Sequence, residues 1–238
     1  MKNSLLSIKV AIALVLSLLF INSSQAQQRE VRRVSGFTGV SLSISADIYL
    51  SQAPDFKVEI EADADYLERI ETVVDGDVLK IKSKDHFSFE FHSKKAKIYI
   101  SMPQVNKINI SGSGDILAQT AIKTDNLKVK ISGSGNVTIE NLSVKSLDMD
   151  ISGSGNIDIA GTDVAEDASY TISGSGDIKN ENLQCKKVQV SVSGSGSVRI
   201  WASDELNAKV SGSGDVYYKG RPIVDAKTSG SGGIHSIK

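Results

Sequence analysis

The sequence is poor in the residues that staple, kink or catalyse. Its 238 residues include one cysteine, three prolines, three histidines and one tryptophan. A single cysteine, Cys185, excludes an intramolecular disulfide and any Cys-based zinc spacing. Three prolines and little sign of a 3.6-residue hydrophobic period point to an all-β chain. The best helical stretch is residues 64–73, where Leu67, Ile70 and Val73 or Val74 share a face. Neither sign of charge dominates, with 27 basic against 28 acidic residues, so there is no basic footprint for nucleic acid. No nucleophile elbow or phosphate-cradling loop occurs.

What the chain has instead is a repeat. Ile131-Ser132-Gly133-Ser134-Gly135-Asn136-Val137 is one of seven near-copies, whose first glycines are Gly112, Gly133, Gly153, Gly174, Gly194, Gly212 and Gly230. Spacings of 18 to 21 residues mean stacked units, each too small to bury its apolar face alone. Leu127, Val129 and Ile131 alternate with polar residues, as in a strand with one buried face. Gly133, Gly135, Val137 and Ile139 continue the same parity. The pattern predicts a parallel β-helix or β-solenoid of about 20-residue coils, with each Ser-Gly-Ser-Gly forming the edge that joins two walls. Gly112, Gly114, Gly133, Gly135, Gly153, Gly155, Gly174, Gly176, Gly194, Gly196, Gly212 and Gly214 are then structural turn glycines on core-side positions, where a Cβ would obstruct close backbone approach.

Aligned copies give rows. The inward row reads Ile110, Ile131, Ile151, Ile172, Val192, Val210, Thr228. The row after the second glycine reads Asp115, Asn136, Asn156, Asp177, Ser197, Asp215, Gly233, expected as a solvated polar ladder. Calcium between coils is the alternative there, although calcium-binding rolls use a nine-residue repeat. Lys128 with Asp148, and Lys130 with Asp150, make opposite-sign pairs between neighbouring coils.

Residues 1–26 read as a signal peptide: Lys2 and Lys9 precede an apolar run from Val10 to Phe20, and Ser24-Gln25-Ala26 suits cleavage. An uncleaved segment would be the chain's sole route to a membrane. The chain from Gln27 then carries 25 basic and 28 acidic residues. Residues 27–35 are expected as a linker, 36–104 as an N-terminal β portion capping the stack, and 105–238 as the repeat itself. Asp75-Gly76 signals a hairpin. The chain stops soon after the last phrase, so no trailing module is expected.

Candidates for chemistry are few. The offset repeat places Cys185 inward as a small hydrophobe. His86, Glu90 and His92 share a parity, but strand geometry sets 86 and 92 about 20 Å apart, so no metal site is expected; Phe87, Phe89 and Phe91 read as core. Asp158, Lys179, Arg199 and Tyr217 occupy outward positions in consecutive coils. Arg199, Trp201 and Tyr217 are the candidate binding residues, a platform on which a sugar could stack.

The opening Phe37-Thr38-Gly39-Val40, Asp47-Ile48-Tyr49-Leu50, the Leu79-Lys80-Ile81 strand and the Ser-Gly-Ser-Gly-Asp/Asn phrases resemble an exported bacterial family common in Bacteroidetes. That family is known as putative auto-transporter adhesin, head GIN domain, and the resemblance covers roughly residues 34–220. It implies a β-helix-like fold similar in outline to pectin lyases and a role in adhesion, and it brings no established catalytic residues. The expectation is an exported, non-enzymatic adhesin without cofactor or metal, periplasmic, on the outer surface or secreted. Its partners would be glycans or cell-surface and matrix components, with a homo-oligomer open. Two alternatives stand beside it: a polysaccharide lyase-like enzyme using Asp158 and Lys179, and a periplasmic structural or assembly protein.

Overall fold

The structure is a computed structural model that describes residues 27–84 and 96–237. The expected signal peptide, and the segment with His86, Phe87, Phe89, Glu90, Phe91 and His92, lie outside the described residues.

The chain forms β1 (Gln28–Arg32), β2 (Gly39–Leu42), β3 (Ala46–Gln52), β4 (Lys57–Ala62), the short helix α1 (Ala64–Arg69), β5 (Ile70–Asp75), β6 (Val78–Ser83) and β7 (Ala96–Met102). The repeat follows as β8 (Lys107–Ile110), β9 (Ile116–Ala118), β10 (Ile122–Ile131), β11 (Val137–Ile139), β12 (Leu142–Ile151), β13 (Ile157–Ala160), β14 (Ala165–Ile172) and β15 (Ile178–Val192). It ends with β16 (Val198–Gly212), β17 (Val216–Lys219), β18 (Ile223–Gly230) and β19 (Ile234–Ser236).

These strands build a β-solenoid with two long walls. One wall stacks β6, β2, β8, β10, β12, β14, β15, β16 and β18 in parallel. The opposite wall stacks β7, β3, β9, β11, β13, β15, β16, β17 and β19. At about 4.8 Å per strand, the stack stands about 38 Å tall. The inward row is in register from Ile81 through Leu42, Ile110, Ile131, Ile151, Ile172, Val192 and Val210. Each of these side chains is at most 1% exposed. Burial of such side chains, about 1.5–3 kcal/mol each, drives the stacking. The paired charges form as the rows require: Lys128 Nζ lies 2.6 Å from Asp148.

Spatial order departs from chain order at the N-terminal end. β2 pairs with both β6 and β8, and β3 with both β7 and β9. The coil of residues 39–52 is therefore inserted between the outermost coil and the first Gly-Ser coil. Residues 36–104 thus supply two coils of the same stack and share its single core. Antiparallel strands close this end, β5 on β6 and β4 on β7. The expected linker is part of that closure. β1 pairs antiparallel with β4, and Arg29 reaches Glu59 at 3.0 Å and Glu61 at 2.7 Å across the strand edge. The helix stops at Arg69 rather than 73, since the β-branched run Ile70-Glu71-Thr72-Val73-Val74 pairs with β6 instead.

The glycines behave differently from the parity reading. In the six pairs from Gly112 to Gly214 the second glycine, such as Gly135, is buried, but the first, such as Gly133, is only half-buried. A Cβ on Gly133, Gly153 or Gly174 would point along the stack rather than into the core. It would meet the carbonyl oxygen of the equivalent glycine one coil earlier at 2.0 Å in each case. Most of these glycines have ordinary negative φ; Gly212 and Gly230 are exceptions at +140° and +123°. Close approach of backbone to backbone, not dihedral freedom, is what selects glycine here.

Cys185 is 1% exposed, with its Sγ 3.7 Å from the Tyr170 hydroxyl and from the Leu183 carbonyl oxygen. Burial pushes its pKa up, so the thiol stays protonated and unreactive. A thiol reagent should label the native chain no faster than it unfolds globally; prompt labelling would contradict this placement. Gly153→Ala should cost about 3 kcal/mol in chemical denaturation, because backbone must move. Ser154→Ala, one residue along and exposed, should change stability by less than about 0.5 kcal/mol.

Candidate functional site

The Asp/Asn row lies where the hydrogen-bond ladder changes sense. Before the corner, backbone N–H groups donate toward the preceding coil: Ser152 to the Ile131 carbonyl at 2.8 Å and Ser154 to that of Gly133 at 3.1 Å. After it they donate toward the following coil: Ile157 to the Asp177 carbonyl at 2.9 Å. Asn156 sits at the switch. Its N–H points to the coil before, while its carbonyl accepts from Val137 of that same coil. No backbone acceptor faces the Asn156 N–H there, and the Asn136 side chain fills the gap, accepting through Oδ1 at 3.0 Å. The device recurs: Asp115 Oδ1 accepts from Asn136 N–H at 2.9 Å, Asn156 Oδ1 from Asp177 at 2.9 Å, Asp177 Oδ1 from Ser197 at 2.7 Å and Asp215 Oδ1 from Gly233 at 2.9 Å. Asn136 and Asn156 also link their amides along the stack. The polar ladder is thus structural, with oxygens committed to backbone. It begins one coil earlier than the phrases suggest, at Asp47, whose Oδ1 accepts from Asp115 N–H at 3.3 Å.

Two residues further along the same wall runs an outward column. Asp158, Lys179, Arg199, Tyr217 and His235 are register partners in successive strands. The Arg199 guanidinium lies 4.5 Å over the Tyr217 ring. On the other side of that ring, His235 stacks at 5.2 Å. Asp215 Oδ1 holds the His235 ring nitrogen at 3.0 Å, and this bond, with the Gly233 N–H, draws the Asp215 carboxyl below its ordinary pKa. Trp201 stands outward between buried Ile200 and Ala202, with Lys219 Nζ 4.4 Å over its ring. The structure therefore brings Arg199, Trp201 and Tyr217 onto one surface, yet both faces of Tyr217 are covered along the stack. What this surface offers outward is hydroxyl, guanidinium and ammonium groups at ring edges. A cleft of about 170 Å³ beside them is lined by Asp177, Ile178, Lys179, Ser197, Arg199 and Tyr217.

Lys219 and His235 escaped notice in the sequence, and Asp215 reads there only as part of the polar ladder. The 18-residue spacing of the last coils would have found them, since it sets Trp201 on Lys219 and Tyr217 on His235.

A larger groove, about 840 Å³, follows the bend at Asp125-Asn126 on the far wall. Four of its charges pair internally, Lys145 with Asp125 at 2.8 Å and Lys128 with Asp148 at 2.6 Å. Among the described residues there is no cluster of three or more His, Cys, Asp or Glu able to hold a metal ion, and no helix long and apolar enough to cross a membrane.

The family described as "Putative auto-transporter adhesin, head GIN domain" matches residues 36–222. No curated protein matches. Among solved structures, a putative adhesin from Bacteroides fragilis superposes with TM-score 0.84 at 27% identity, covering 90% of this chain and 98% of its own. A putative lipid binding protein from Parabacteroides distasonis gives TM-score 0.72 at 23% identity, with the same coverages. A putative adhesin from Parabacteroides merdae gives 0.67 at 24%, again covering 90% and 98%. The last two share the fold. None of these findings supports the polysaccharide-cleaving alternative.

Because its carboxyl pKa is depressed, Asp215 contributes stability that is fully present above about pH 4 and lost as pH falls through the depressed value. Asp215→Asn keeps an Oδ1 acceptor but cannot ionise. The difference in thermal midpoint between the wild type and Asp215→Asn should shrink as pH falls from about 5 to about 2; a difference that stays constant would contradict the pairing.

Proposed function

This chain belongs to the putative auto-transporter adhesin, head GIN domain family, and we propose that it is an exported, non-enzymatic protein that holds acidic glycans on the wall carrying Lys179, Arg199, Trp201 and Tyr217. The observation that supports this reading is that two cations of that wall border one cleft whose lining includes a single carboxylate, Asp177. Lys179 and Arg199 flank the 170 Å³ cleft, a volume suited to a carboxylate or sulfate group. Arg199 approaches one carboxylate, Glu181, at only 3.9 Å, and its guanidinium is pre-oriented by the Tyr217 ring. A planar guanidinium suits bidentate recognition of a carboxylate. Lys219, held over the Trp201 ring, adds an ammonium group to the same wall.

The larger groove on the far wall competes less well, because two of its three lysines, Lys128 and Lys145, already hold carboxylates. Lipid binding, the property named for one fold relative, would need an apolar recess to take a lipid chain, and the two hollows described above, like a third of about 330 Å³, are lined in part by charged side chains. The rigid 38 Å wall suits display of such a patch at a cell surface or in a matrix.

Isothermal titration of the chain with a uronic-acid polymer and with a neutral polymer of equal length tests the reading. Binding is expected for the acidic polymer alone, weakened about tenfold or more by Arg199→Ala or Lys179→Ala, as for loss of one charge-assisted bond. Lys128→Ala, in the other groove, should leave it unchanged. Equal binding of both polymers, or no effect of Arg199→Ala, would overturn the assignment.

A further inference from the structure

The two ends of the solenoid are finished differently. At one end antiparallel β5 and β1 close the parallel ladders, and β1 carries Arg29, Glu30 and Arg32 on its rim. At the other end β18 pairs only with β16 among the described residues. All eight residues of β18 are exposed, including Ile223 at 80% and Val224 at 39%. Directly beneath Val224 is Leu206, which is 1% exposed, so the upper coil presents the unfinished core of the stack. An open strand edge of this kind is a template for another strand.

We propose that this end pairs with the same end of a second copy of the chain, across a two-fold axis through Ala226. The argument is the charge pattern of Ile223-Val224-Asp225-Ala226-Lys227-Thr228-Ser229. In an antiparallel register centred on Ala226, Asp225 faces Lys227 of the partner subunit, and Lys227 faces Asp225 of the partner subunit. The pattern is self-complementary, as an isologous interface demands. Among the described residues no ion pair is made by Asp225 or Lys227. Lys227 also lies directly over Lys209 in the strand beneath, a like-charge neighbour that is unfavourable across a ladder. The partner's Asp225 supplies the missing opposite charge. On the inner face of the same pairing, Val224 meets Thr228 of the partner subunit and leaves water. Opposite charges at symmetric positions discourage arbitrary strands and admit this one. Because the dyad runs from one wall to the other, each wall stays on its own side, and the two Arg199–Tyr217 surfaces share one broad face.

Sedimentation equilibrium of the chain over a concentration series is the test, with thermal midpoints confirming that each variant folds. A reversible dimer is expected, weakened by salt. Asp225→Lys and Lys227→Asp each set like charges opposite each other twice per interface and should weaken it about tenfold. The double variant Asp225→Lys with Lys227→Asp restores opposite-sign pairs in this register alone, and should recover dimerisation to within about twofold. A chain that stays monomeric at all concentrations, open-ended higher oligomers, or a double variant no better than either single would each overturn the proposal.

Discussion

At every Gly-Ser corner, a carbonyl oxygen occupies the place where the next coil's Cβ would be. The contact is backbone on backbone, and it sets how closely the coils can lie. With Gly153 over Gly133 and Gly174 over Gly153 at the same separation, the walls can keep full hydrogen-bonding distance right up to the bend. One bulky residue there would lift the edge of a coil, and both walls beside it would lose ladder bonds. The aliphatic rows then fill an interior whose spacing the corners have already determined.

That geometry creates a second requirement. Turning from one wall to the other reverses the direction in which N–H groups point along the stack, so one donor per coil faces a coil that offers it no carbonyl. A side-chain oxygen on a short stem must serve, which is why Asp or Asn follows the second glycine at Asp115, Asn136, Asn156, Asp177 and Asp215. Leaving a donor without a partner costs more than a hydrogen bond gains. The same bonds commit an Oδ1 of each of these residues to backbone. The proposed binding groups, Lys179 and Arg199, lie instead in the neighbouring column and have no such duty.

Much of this was legible in the sequence. Period-2 alternation through Leu127 to Ile139 located both walls and the inward row, and the rows of Lys128 and Asp148 anticipated a real ion pair. Parity misplaced the first glycine of each pair, because alternation describes which wall face a residue takes and says nothing of a contact along the stack. The inserted coil of residues 39–52 was hidden because its corner reads Ser43-Ile44-Ser45-Ala46. Gly112 and Gly114 rest on the backbone of Ile44 and Ala46. The role of the Asp/Asn row was hidden for a different reason: it depends on hydrogen-bond direction, which composition and spacing do not record. Register counting sets Arg199, Trp201 and Tyr217 on one outward face, whereas the covering of the Tyr217 ring by Arg199 and His235 required side-chain positions.

The central claim is that the corners are stacked structure rather than connectors. Native-state amide hydrogen exchange at Asn136, Asn156, Asp177 and Ser197 tests it most directly, because these residues lie at the surface and only the ladder would protect them. The account predicts protection comparable to that of the wall amides at Val129, Met149 and Tyr170. Exchange at the rate of a free Gly-Ser linker, with the walls still protected, would contradict it.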